Sequence, residues 1–267
     1  MQPVPAADAK RTTMPRTRGR PGTCTYCRAQ VASLEDEHVF PDSWYPTTTP
    51  ADAERIKVPS CSKCNRDYGR TEERLQRQWA ACVDATKPAA LGIWDRVHRS
   101  LRAEYGRDPR DARVRAGNRE KMQRAIRPVP VTANGLFPGF RAIEASWSSQ
   151  PSGLVALSAE AVEIDPNDVA AFTEKLVRGL HFRLHDAPVP ADVTVSTYVV
   201  NEGAWPELLE KMRAMTPRGV PPGFIFWRGV AKDHPMFALW YFLIWGQVFL
   251  QASTRPPGLS PDTPAGT

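Results

Sequence analysis

The sequence predicts an α+β protein in three parts: a cysteine-clamped N-terminal module, a basic helical connector and a C-terminal α+β domain with a mainly antiparallel sheet. Three observations carry this. Two C-x2-C pairs, Cys24/Cys27 and Cys61/Cys64, bracket a segment without a large core of its own. An arginine-rich helical stretch follows them. Beyond Pro128, strand-like runs are interrupted by two helices. The 267 residues suffice for one large or two modest domains. The expected boundaries are a disordered basic arm over 1–21, the clamped module over 22–86, the connector over 87–127, the α+β domain over 128–252 and a tail over 253–267.

The cysteines come first because their spacing is chemically specific. Four thiolates in two knuckles form the usual ligand set of a closed, tetrahedral structural zinc site. Thirty-three residues lie between Cys27 and Cys61, room for a hairpin and a loop. No apolar N-terminal segment suggests export, so a reducing, cytoplasmic location is expected and disulfides are disfavoured. Cys82 falls on an apolar helical face and reads as core.

Inside the clamp, Asp36–Pro41 reads as a short strand ending at a proline that cannot donate to a ladder. After Cys64 a helix begins, with Leu75, Trp79, Cys82 and Val83 on its buried side. This strand–loop–helix is expected to bring His38 close to Asn65.

The run Glu37-His38-Val39-Phe40-Pro41, followed by Cys61-Ser62-Lys63-Cys64-Asn65, resembles the HNH endonucleases of the cysteine-clamped type. The resemblance covers roughly residues 22 to 76. It implies a ββα-metal, or treble-clef, finger and hydrolysis of phosphodiester bonds in nucleic acid, with DNA as the expected substrate. It assigns His38 as the general base, and Glu37 and Asn65 as ligands of a catalytic divalent ion. Oxygen ligands suit Mg2+ or Mn2+, and an imidazole titrating near neutrality suits removal of a proton from water. Glu72 or Glu73 is a candidate further ligand. The family's middle asparagine has no counterpart between Val39 and Cys64, and Asn65 stands where a last histidine is common. Two other readings use the same residues: a catalytically silent zinc finger that binds nucleic acid, and a protein-interaction module.

The charge is compatible with a polyanionic partner. The chain carries a formal +6, and residues 95–127, with eleven basic and five acidic side chains, hold an excess of the same size. Arg66, Arg96, Arg99, Arg102, Arg119 and Lys121 are the candidate phosphate contacts. In the N-terminal arm, Arg18-Gly19-Arg20-Pro21 resembles the core of an AT-hook.

In the last part, strands are expected over 129–132, 139–147, 154–164, 193–200 and 223–230, with a helix capped by Asp165 and another over 204–215. Met236–Leu250 is apolar but too short to span a membrane, and Gly246 and Gln247 interrupt it. It reads as one buried strand paired with Phe224–Trp227 through a turn at 232–235. His181 and His185 stand at i and i+4 without the carboxylate of a metalloprotease helix. They read as a helix-end pair. No glycine-rich phosphate loop and no Ser/His/Asp pattern occurs.

Overall fold

The computed structural model describes residues 19–129, 145–150, 153–199, 205–213 and 215–258. Strands β1 (Gly22–Thr23) and β2 (Gln30–Val31) form a small hairpin. A second hairpin pairs β3 (Glu35–His38) with β4 (Lys57–Ser60), setting His38 opposite Lys57. Helix α1 (Ser62–Cys82) follows directly, its Cys64 N–H capped by the Cys61 sulfur. Helices α2 (Ile93–Leu101) and α3 (Pro109–Ala125) form the connector. Asp108 caps α3, and Pro109 occupies its first turn, where a missing N–H costs nothing.

The chain then enters a three-stranded sheet of β5 (Ile126–Val129), β6 (Ala145–Gln150) and β7 (Gly153–Val162) in the order β5-β7-β6. Helix α4 (Pro166–His185) is capped by Asp165 and ends at Asp186 in the left-handed region. Strand β8 (Thr194–Val199), helix α5 (Trp205–Arg213) and strands β9 (Arg218–Val220), β10 (Phe224–Val230), β11 (Ala238–Ile244) and β12 (Val248–Arg255) complete the order. The last five strands make one antiparallel sheet, β8-β12-β11-β10-β9.

Among the described residues, the larger of two apolar clusters runs through these parts, and Met212, Trp227, Tyr241 and Phe249 form the smaller. The loop between β3 and β4 inserts Phe40, Trp44 and Tyr45 between α1, α4 and the large sheet. Phe40 stacks on Phe224 at 4.4 Å, and Trp44 lies against Trp79, Phe172 and Trp245. The Trp245 indole N–H donates to the Trp44 carbonyl at 2.7 Å. The connection from β3 to β4 therefore does what the clamped segment cannot do alone: it buries large aromatic area against distant strands. Leu75, Trp79, Cys82 and Val83 are buried on α1, as their spacing requires.

Several elements differ from the sequence expectation. Met236–Leu250 is a hairpin, not one strand: β11 ends at Ile244, Trp245 and Gly246 turn at positive φ, and β12 returns. Gln247 sits in this turn and bonds both the N–H and the carbonyl of Asp84, so the interrupting polar residue marks a reversal. Strand β12 extends to Arg255, past the expected start of the tail, and β9 was not foreseen. Gly19 and Arg20 bond Leu34, joining the clamped module rather than the arm. The rest of the arm to residue 18, including Arg18 of the AT-hook-like run, lies outside the described residues. So do 130–144 within two expected strands, residue 204 at the expected start of α5, residue 214 near its end, and the tail from 259. No helix among the described residues is long and apolar enough to cross a membrane.

Candidate metal centre and charged cluster

Each cysteine pair lies where a short element turns. Cys24 and Cys27 flank a knuckle closed by the bonds Arg28 N–H to Cys24 carbonyl and Cys24 N–H to Ala29 carbonyl, both 3.0 Å, with Arg28 at φ 63. Cys61 and Cys64 stand at the start of α1. The four sulfurs lie within 4.8 Å of one another, and Cys27 Sγ to Cys61 Sγ is 3.8 Å. Thiolates ~2.3 Å from a central zinc sit ~3.8 Å apart in a tetrahedron, so the four cysteines fit a metal ion such as zinc. Main-chain N–H groups of Cys61 and Cys64 already point at sulfurs of Cys24 and Cys61. Burial pushes the Cys24 thiol up, but backbone hydrogen bonds from Cys27, Cys61 and Tyr26 bring it down to about 7. Among the described residues no other group of three or more ligand side chains converges in this way.

Beside the cysteines lies a second cluster that the sequence reading missed. Lys175, from the middle of α4, is fully buried. Its ammonium donates to Glu37 Oε1 at 2.6 Å, to the His38 carbonyl at 2.7 Å and to Glu72 Oε1. The same face of α4 makes two more contacts with the clamped module. Asp168 takes a two-pronged bond from Arg74 on α1. Gly179 abuts Val39 so closely that an added Cβ would sit 2.7 Å from a Val39 methyl. Burial raises Glu72 to about 7 against the opposing pull of Lys175.

His38 occupies the end of β3, with its side chain 26 % exposed. Alternation along the strand places Glu35 and Glu37 on one face and His38 on the other. Around His38 stand Lys57 across the hairpin, Arg55, and Asp42, whose Oδ1 lies 3.7 Å from Nε2 and also pairs with Arg55. Burial lowers the imidazole's pKa; Lys57, Lys175 and Arg55 lower it further, while Asp42 opposes them.

The expected convergence of His38 with Asn65 is replaced by another pairing. The Asn65 amide donates to Glu35 Oε2, on the α1 side of the hairpin. Glu37 is held by Lys175. A hard divalent ion on Glu37 would have to displace a fixed cation, and Asn65 spends its amide N–H on Glu35 while its Oδ1 stays an acceptor. Glu73 is exposed and pairs with Arg77.

The candidate phosphate contacts divide by environment. Arg66, Arg99, Arg119 and Lys121 are exposed. Arg96 is a correction: its guanidinium braces the inserted loop through the carbonyls of Ser43 and Tyr45. Arg102 pairs with Glu104 and lies over the Tyr105 ring. On α3 a continuous stripe appears that the list of candidates did not single out. At 100° per residue, Arg110, Arg113, Lys121 and Arg124 fall within an arc of about 80° centred near Gly117. A Cβ on Gly117 would meet nothing within 4 Å.

Elsewhere, a cleft of about 700 Å3 opens between the β3–β4 loop, α4 and β9, lined among others by Asp52, Glu54, Arg183 and Arg218. It contains none of the site residues expected from sequence. His181 is buried with its ring 4.5 Å from that of His185, and burial lowers it to about 4, with His185 and Arg228 adding. A buried neutral histidine destabilises the fold once acid must charge it. The folded pKa lies below the unfolded 6.5, so its stability contribution is complete above pH 6.5 and is lost as pH falls towards 4. Relative to His181→Leu, the wild type is expected to lose about 1–3 kcal/mol across that window in urea titrations, with solvent screening taking part of the full effect. Parallel curves for the two proteins would refute this.

Comparison with protein-family models, curated proteins and solved structures found no match.

Proposed function

We propose that the chain is a zinc-clamped nucleic-acid hydrolase of HNH type, with His38 as the base that activates water. The observation that carries the reading is the setting of His38: a part-exposed imidazole at the end of a hairpin strand, with Lys57 and Arg55 beside it. This is a place where a phosphate's charge would be met and a neutral imidazole kept ready. The order hairpin, Cys-x-x-Cys, helix supports the ββα-metal, treble-clef interpretation of the module, and soft sulfur ligands support zinc as its ion.

In this reading His38 takes a proton from water, whose oxygen forms a new bond to phosphorus. The bond to the 3′ oxygen breaks, and that oxygen is protonated by solvent. Lys57 and Arg55 offset the charge that grows on the phosphoryl oxygens. The α3 stripe, with Arg66 and Arg99, supplies sequence-independent grip on the backbone.

A second reading, a catalytically silent nucleic-acid binder, is favoured by the missing middle asparagine and by the engagement of Glu37 with Lys175. Nicking of supercoiled plasmid separates the two. His38→Ala at matched zinc content is expected to lower the nicking rate at least about 100-fold while leaving retention of DNA unchanged. If neither protein nicks, with or without Mg2+ or Mn2+, and both retain DNA, the binder reading replaces the hydrolase.

A further inference from the structure

Lys175 engages Glu37, one of the two ion ligands that the resemblance assigns, and Glu72, a candidate further one, while the other assigned ligand, Asn65, bonds Glu35. The three ammonium hydrogens of Lys175 have three oxygen acceptors: two carboxyl groups, Glu37 and Glu72, and the His38 main-chain carbonyl. Such an all-oxygen set with two carboxyl groups suits a hard cation. The ammonium fills it from a helix more than a hundred residues away in sequence, and it is sealed from solvent. No phosphate reaches it, so it binds no substrate. What it does is hold the backbone of the base and neutralise carboxylates that would otherwise attract an ion.

We infer that Lys175 is a built-in replacement for the divalent ion, so that the His38 site acts on a phosphodiester with zinc as its one metal and with Lys57 and Arg55 as its phosphate-facing cations. This rests on the hydrolase reading, but the two can fail separately. Lys175 is a positioning residue here: it acts through the His38 carbonyl and the Glu37 side chain.

The test titrates zinc-loaded protein with Mn2+, read by electron paramagnetic resonance and by thermal shift, in wild type and Lys175→Ala. Removing the ammonium uncovers two carboxylates, so Lys175→Ala is expected to bind one Mn2+ at least about tenfold more tightly than wild type. Mn2+ should also raise its melting temperature. Should Lys175→Ala not fold, Glu37→Gln takes its place, and its Mn2+ titration is expected to match that of the wild type. Plasmid nicking by the wild type is expected without added divalent ion, and unchanged when Mg2+ is supplied.

A tight Mn2+ site in the wild type that Glu37→Gln abolishes overturns the inference. Nicking that requires Mg2+ or Mn2+ overturns it too, while leaving the hydrolase reading intact. If no condition gives nicking yet Lys175→Ala gains the Mn2+ site, the hydrolase reading fails and the replacement of the ion by Lys175 stands.

Discussion

Lys175→Met is expected to cost about 3–5 kcal/mol, the usual consequence of removing one partner from a buried charge group. The physical reason is local. Glu37 and Glu72 are each about nine-tenths buried and share one ammonium. Without it, two like charges face each other in a medium that screens them poorly. Protonation relieves part of the penalty, so the loss should grow as pH rises past about 7, the raised pKa of Glu72 beside Lys175. Urea titration measures it. The triple variant Glu37→Gln, Glu72→Gln, Lys175→Met is expected to recover most of the loss, because it removes the charges together and keeps the volumes close. A single variant that loses less than about 1 kcal/mol would mean that the cluster is wetter and weaker than its geometry implies.

Metal removal should act on a larger scale. Strands β1 and β2 have two residues each, β3 and β4 four each, lengths that do not persist without a tether. The first turn of α1 takes its cap from Cys61. Binding of structural zinc is worth about 10–16 kcal/mol in isolated finger peptides, and much of it appears as folding free energy. Because Phe40, Trp44 and Tyr45 leave from the same hairpin to enter the shared core, the damage is not confined to the finger. A chelator strong enough to strip the site is therefore expected to lower Tm by about 15 °C or more and to shift tryptophan emission to the red. Cys27→Ser tests the point with little loss of packing, since Cys27 is the exposed member of the four. If chelated protein keeps its Tm and emission, the cysteines do not hold a structural ion.

The residues differ in how far they could be read from the chain alone. The cysteine ligands were legible because ligand spacing is a short-range property: two residues between thiolates fix a knuckle whatever surrounds it. The same holds for the start of α4, where Asp165 and Pro166 write the cap locally. The apolar run at 236–250 was harder. Composition showed that it would be buried, but whether it ran on or turned back depended on Trp245, Gly246 and the bonds of Gln247 to Asp84. The site divides in the same way. His38 was found by motif, whereas its neighbours Lys57 and Arg55 come from across the hairpin. The one signal for Lys175 was a charged residue on the buried arc of a helix, beside Phe172, Leu176 and Gly179. Such a residue needs a partner, but nothing nearby in sequence names it.

The sulfur cluster, the placing of α1 and α4, the basic excess near α3 and the antiparallel character of the C-terminal sheet all follow from patterns local to the chain. It took packing to show that the clamped module and that sheet share one core, that Asn65 turns to Glu35, and that Lys175 sits between Glu37 and Glu72. The difference is one of range. Caps, knuckles and helical stripes are fixed by residues a few positions apart, whereas a buried ammonium is satisfied by carboxylates more than a hundred residues away, and that pairing exists only once the chain has packed.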